Sequence, residues 1–329
     1  MQEPSGPLTR ALVAVLPEWV ARQRWYAGKG AAGQVPVLRH VGLLRLQDPA
    51  GEVDIDIHLL LDESAATSTT YQIPLTGRTE PLAGGEDSLV ARIGSRYLYD
   101  APHDPVFATA LLRLILDEET TALDGSGAVG HRLATADIDD AVGSSLKVSE
   151  SHVMVGEQSN TSIVLQLVDP DGTASKPLIC KLFRVLHDGQ NPDVVVQAAL
   201  SAAGSTRVPS SVGFVTGQWS DAAAATGEPA AHLAHLAFAQ EFLPDVEDAW
   251  RVALAAIAAG TDFSEQARSL GQATAEVHAT LAQAMGTREA NQDDVTTLTQ
   301  RMRSRHAAAL FEVPALARHD DKVRAAIEA

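Results

Sequence analysis

Lys181 is out of keeping with its surroundings, because it puts one charged side chain in the middle of an apolar run of strand length, Pro177 to Phe183. A lysine on a strand must leave its ammonium in water or against a partner, since burying it bare is costly. Just upstream, Gln158, Ser159, Asn160, Thr161 and Ser162 form a small, polar segment that opens onto Ile163, Val164, Leu165 and Leu167. Asp169-Pro170-Asp171-Gly172 then places Pro and Gly where a tight turn wants them. The expected layout is strand, turn, strand, with a loop rich in hydroxyls and amides before the first strand and Lys181 inside the second. In such a loop backbone N–H groups can approach an anion closely, and Ser and Thr add donors. A polyphosphate lying between loop and lysine would satisfy both. The alternative is an ordinary hairpin whose lysine snorkels to an edge.

The elements around this stretch must hold those groups in place. Asn191-Pro192-Asp193 reads as a helix start, Asn191 at the N-cap and Pro192 in the first turn, with helix expected from Asp193 to Ala203. A loop over the phosphates with a lysine on the third strand is how protein-kinase-like folds hold ATP. Farther on, Ser211 to Thr216 and Leu233 to Leu243 read as strands, divided by the polar linker Ser220 to Pro229. Leu146 to Glu150 reads as the first strand of the nucleotide-binding sheet, after a weakly patterned connection over 121–145.

Upstream of that sheet the pattern is helix, then strands. Leu8, Leu12, Val15, Leu16 and Trp19 fall on one helical face. Trp25 and Tyr26 are expected to anchor the end of that helix in a small core, and Gly28 and Gly30 to turn the chain. The Gly28-Lys29-Gly30 triplet lacks the spacing of a phosphate loop. Val53, Ile55, Ile57 and Leu59 alternate with Asp54, Asp56 and His58, a strand with one wet face on which His58 is expected to be solvated. Short strands follow at Tyr71 to Leu75 and Ser95 to Asp100, and a helix over 105–119. After Leu243 the chain is helical: one helix around Trp250, a longer one with Phe263, Ala267, Leu270, Thr274, Val277 and Leu281 on one face, and a third capped by Asp294 with Val295, Leu298, Met302 and Leu310 facing inward.

Composition narrows the function classes. The 329 residues hold Lys+Arg 25 against Asp+Glu 42, a net charge of −17, which argues against nucleic acid or an anionic membrane surface as partner. Any phosphate site is therefore local. The single cysteine, Cys180, excludes an internal disulfide framework and a cysteine-cluster metal site, and suits a reducing cytoplasm. No signal sequence or apolar run of membrane-spanning length is evident. His232 and His235 lack a third ligand, so a metal there is a weak expectation. A serine hydrolase is excluded for want of a strained-turn serine.

Four stretches carry a family resemblance. The stretch 157–163, EQSNTSI, followed by the KLFR strand and Gly189-x-Asn-Pro-Asp193, resembles the nucleotide-binding lobe of the maltokinases, bacterial kinases of the aminoglycoside-phosphotransferase-like group. Arg24-Trp25-x-x-Gly28-Lys29-Gly30 is similar to the segment that opens their N-terminal cap subdomain. Ala237 to Pro244 resembles their interlobe hinge, and Gly271 to His278 the start of their second lobe, where His278 is expected to be a packed helix residue. The resemblance implies an α+β fold: a cap subdomain over 1–104, a kinase-like nucleotide-binding lobe over 105–245, and the start of a helical acceptor lobe over 246–329. It implies Ser159, Asn160, Thr161 and Ser162 over the phosphates of ATP, Lys181 on the α- and β-phosphates, and Gln240, Glu241, Phe242 and Leu243 around adenine. The activity it implies is transfer of the γ-phosphoryl group of ATP to the anomeric hydroxyl of maltose, with trehalose synthase as a possible partner.

Two departures qualify that resemblance. The family keeps a glutamate close after Asn-Pro-Asp to pair with the strand lysine, whereas Val195 and Val196 stand here, so Asp193, another acid or the nucleotide alone must serve Lys181. The family's catalytic His-Gly-Asp-x-His segment does not occur in the chain, so neither a general base nor Mg²⁺ ligands are expected within it. The sequence thus reads as an N-terminal portion of such a kinase, expected to be inactive alone. A kinase for another acceptor, such as glucosamine or an aminoglycoside, and a non-catalytic binding module are the competing readings.

Overall fold

A computed structural model describes residues 7–26, 35–64, 68–123, 125–133, 146–154, 159–221 and 230–328. Gln158, Gly28 and Gly30 lie outside the described residues, as does most of the Ser220 to Pro229 linker. The backbone divides into two compact units, Met1–Ala284 and Met285–Ala329.

The first unit opens with helix α1 (Pro7–Ala21), followed by the strands β1 (Leu38–Leu46), β2 (Asp54–Asp62), β3 (Thr69–Arg78), β4 (Leu89–Ile93) and β5 (Arg96–Asp100). They form an antiparallel sheet in the order β1-β2-β3-β5-β4. Alternation along β2 does what alternation should, sending Ile55, Ile57 and Leu59 to one face. The other face is not wet. Leu60, Tyr71, Ile73 and Leu75 pack there with Leu12, Leu16, Trp19 and Val20 of α1 and with Trp25 and Tyr26. The Trp19 and Trp25 rings lie 5.9 Å apart, and the Tyr26 hydroxyl donates to Asp62 at 3.1 Å.

His58 is the casualty of that cover. The sequence pattern predicts it solvated, but a helix packs over what alternation reads as the wet face, and His58 is only 6 % exposed. Its Nδ1 lies 3.1 Å from His40 Nε2. Burial, and secondarily His40, push its pKa down to about 4. Because the folded value lies below the ordinary 6.5, the unfolded chain binds the proton more readily. The stability this neutral imidazole contributes is complete above 6.5 and is lost as pH falls toward 4. Unfolding free energy should therefore drop by about 2 kcal/mol between pH 7 and pH 5 from this group, and His58→Leu should shallow that dependence.

Helix α2 (Pro105–Leu116) follows, with Asp104 capping its N-terminus by accepting from Val106 N at 3.0 Å. The second sheet contains β6 (Thr120–Leu123), β7 (Ser126–Arg132), β8 (Lys147–Val153), β9 (Asn160–Val168), β10 (Leu178–Phe183), β12 (Ser211–Asp221) and β13 (Ala230–Glu241), in the order β6-β7-β12-β13-β10-β9-β8. The hairpin β6–β7 corrects the reading of 121–145 as a connection; because it joins the same sheet, β8, at the sheet edge, is the third strand of that sheet in chain order. One core joins the inner face of this sheet, α2, and Ile55, Ile57 and Leu59 of β2. The two-residue strand β11 (Val185–Leu186) leaves the second sheet to pair with Tyr71 and Thr70 of β3.

Helix α3 (Pro192–Ala202) starts where the sequence predicts. Helices α4 (Ala249–Ala259) and α5 (Ser264–Met285) complete the first unit, and α6 (Gln292–Glu312) and α7 (Asp320–Glu328) lie in the second. The cap of α6 is Asn291, with Asp294 as its reciprocal partner at the third helical position, not the N-cap itself. The stripe expected to face inward on α6 is largely open, with Leu298 60 % exposed; Trp250 on α4 is 70 % exposed, and His278, expected to be packed, is exposed as well. Periodicity marks which face of a helix wants cover, and no described residue supplies it here. Among the described residues no helix is long and apolar enough to cross a membrane.

Candidate functional site

Lys181 sits on β10, flanked by β9 on one side and β13 on the other, opposite Ser162 and Phe238. Its side chain is 31 % exposed, and its Nζ donates to Asp193 Oδ2 at 2.8 Å. Asp193 lies in the first turn of α3, so the acid that serves the lysine is one of the candidates the sequence offers, displaced by less than a helical turn from Val195 and Val196.

The start of α3 is itself fixed. Asn191 Oδ1 accepts from Asp193 N at 2.9 Å, and Asn191 N donates to His235 Nδ1 at 2.9 Å. His235 must therefore be neutral with its proton on Nε2. It is 8 % exposed, and burial followed by the charge of His131 lowers its pKa. Phe214 packs between His131 and His235, with ring centroids 4.7 and 5.1 Å away. Asp193 is thus held toward Lys181 by a chain of contacts rooted in β13. His235 carries this role, and metal-ligand spacing was the wrong signal to look for. His232, three residues away on a strand of period two, turns to the opposite face and stacks on Trp219 at 5.3 Å.

The polar segment before β9 divides. Ser159 is exposed and precedes the strand. Asn160, Thr161 and Ser162 are not loop residues, because they already pair with Phe183, Leu182 and Lys181. Strand alternation puts Asn160 and Ser162 on the face of Lys181, with Ser162 fully buried. Thr161 is on the other face, where its hydroxyl oxygen accepts from Arg184 Nε at 2.8 Å. A hydroxyl so placed does not overlie the lysine.

The hinge candidates close β13. Gln240 and Glu241 pair with Ile179 and Leu178. Glu241 N donates to Ser210 O and Phe242 N to Pro177 O, both at 2.9 Å. Those two donors are taken, and Leu243, 43 % exposed, is the next residue whose backbone could meet a ligand edge. Cys180, beside Lys181 in sequence, faces the core, and burial pushes its thiol up to about 12, so it is inert as a nucleophile. A cleft of about 540 Å³ lies elsewhere, at the far ends of β12 and β13 beside Asp188, Trp219 and His232, and includes none of the candidate residues.

Sequence reasoning missed Arg184 and Gln72. Arg184 is wholly buried; its Nη2 donates to both oxygens of Asp100 at 2.8 Å, and its guanidinium lies 5.0 Å over the Trp25 ring. Gln72, also wholly buried, donates from Nε2 to Phe183 O and to Leu236 O. A charged residue between Phe183 and Val185 was a visible signal for the first; nothing local marks the second.

The architecture is a mixed α+β fold, one antiparallel sheet in front of a lobe built on a second, and it is similar to a kinase fold. The chain superposes on a solved glucosamine kinase with a TM-score of 0.51 at 19% sequence identity, over 95% of this chain and 63% of that one. At that identity the likeness shows the fold, and the chain spans about 63% of that kinase's length. Residues 19–104 match the model of the maltokinase N-terminal cap domain. That range takes in Trp19 and Trp25 and the whole sheet from β1 to β5.

Proposed function

We propose that this chain carries the cap and the nucleotide-binding lobe of a sugar kinase of the maltokinase type, which phosphorylates maltose from ATP to give maltose 1-phosphate for α-glucan and glycogen synthesis. The observation that carries this reading is the Lys181–Asp193 pair at 2.8 Å, on a central strand and at a helix start, behind a cap sheet that matches the maltokinase model. An ammonium held by a carboxylate yet still part exposed is poised to bind phosphate oxygens. Asn160 shares its face, Ser159 stands at the strand entrance, and Leu243 offers backbone to the adenine edge. Lys181 would hold and orient the phosphates, and the bonded start of α3 would keep that lysine from swinging away.

Magnesium does not fit the described residues. No group of three His, Cys, Asp or Glu side chains among them converges on a cation site, and Asp193 is engaged by Lys181. No step is therefore assigned to a metal among the described residues. The solved glucosamine kinase favours a second reading, in which the acceptor is an amino sugar; a non-catalytic partner of trehalose synthase is the third. ATP at a few millimolar should raise the midpoint of thermal unfolding by several degrees, and Lys181→Ala should abolish that shift. Equal shifts in both proteins would remove Lys181 from the site.

A further inference from the structure

We propose that the cap positions the nucleotide site, with Gln72 and Arg184 as the positioning residues, a proposal that rests on reading Lys181 as the phosphate-binding lysine. Three strands hold the candidate groups: β9 follows Ser159, β10 carries Lys181 and β13 leads into Gln240 to Leu243. The cap sheet grips all three from one side.

Two side chains make the grip. The ladder between β10 and β13 runs from Leu178–Glu241 to Leu182–Ala237 and then opens. Phe183 and Leu236 would form the next pair, and there the Gln72 amide takes both carbonyls, at 2.6 and 2.5 Å. Gln72 N also donates to Arg184 O at 3.0 Å, and Val185 and Leu186 then add to β3. The strand of Lys181 therefore leaves its own sheet and enters the cap within a few residues of the lysine. Arg184 ties the end of β5, through Asp100, to Thr161 at the start of β9.

Stability alone does not account for this arrangement. Gln72 Oε1 and Arg184 Nη1 are buried and find no hydrogen-bond partner among the described residues. A buried polar network that leaves groups unsatisfied is worse for stability than apolar packing would be. What the network does provide is a fixed spacing between the lysine strand and the hinge strand, and sites that bind by geometry need that kind of support.

The test compares ATP affinity by calorimetry with thermal stability in three variants of the full chain. Gln72→Leu should weaken ATP binding about tenfold or more, the effect of losing a group's placement and not merely fold stability. Leu16→Ala, in the cap core on α1, should lower the unfolding midpoint with affinity within about twofold of the unaltered chain. Asp100→Asn keeps the shape but loosens Arg184, and should weaken binding about threefold; it serves if Gln72→Leu does not fold. Unchanged affinity in every folded variant of Gln72 and Asp100 overturns the coupling alone. No ATP binding by the unaltered chain, or undiminished binding by Lys181→Ala, overturns the reading of Lys181 and this proposal with it.

Discussion

Arg184→Met is expected to lose about 3–5 kcal/mol of unfolding free energy, because it strands a carboxylate in the core. Asp100 is 6 % exposed and both its oxygens accept from Arg184 Nη2. Removing the guanidinium also frees Thr161 and strips the face of Trp25. Denaturant titration of the single variant should show the loss as a lower midpoint. The double variant Arg184→Met with Asp100→Leu should regain much of it, since an apolar pair of similar volume often matches a buried ion pair. A single variant within about 1 kcal/mol of the unaltered chain would mean that the pair contributes no more than a surface bridge. Stability and nucleotide affinity should part company in the double variant, which keeps the fold yet loses the hold on β9.

Gly130→Ala should be at least as damaging, by a different mechanism. A Cβ at Gly130 would overlap the carbonyl of Leu114 in the last turn of α2. Backbone, unlike the tip of a side chain, has nowhere to go. Leu114 and Ile115 are buried in the main core, so helix and sheet would have to separate along their contact. Overpacking of a core typically costs about 1–3 kcal/mol, and a clash with main chain lies at or beyond the upper end of that range. Gly271→Ala is the control: its Cβ meets nothing within 4 Å on α5, and alanine should gain up to about 1 kcal/mol of helix propensity. Parallel melts of the two variants, one lower and one unchanged or higher, would check the contact.

The same glycine explains why part of the fold was hard to read. Strand β7 sets a single branched residue, Val129, among Ser126, Gly127, Ala128 and Gly130, a composition poor in the branched and aromatic residues by which strands are recognised. The close approach of α2 demands the small residue at 130, so the packing that needs the strand also hides it. Elsewhere the local signals were adequate. Charge in an apolar run picked out Lys181, and Asn-Pro-Asp located the start of α3. The alternation along β2 gave its inner face correctly, but a pattern of period two cannot say what covers the other face, which is how His58 came to be read as wet. The cap's grip was beyond local reading altogether: Gln72 reaches carbonyls 111 and 164 residues away, with nothing in its own neighbourhood to mark it. On α6 the stripe is legible in the sequence while its cover is not, so Leu298, expected to face inward, stands open.

The central claim is that Lys181 meets the phosphates of ATP, and an ATP acyl-phosphate probe tests it directly. Such a probe transfers its acyl group to an amine lying against the phosphate chain, and peptide mass spectrometry locates the modified lysine. Lys181 should be acylated well ahead of Lys147, Lys176 and Lys322, and an excess of ATP should protect it while leaving the other three unaffected. Labelling of Lys181 no faster than of those lysines, or indifferent to ATP, would contradict the account.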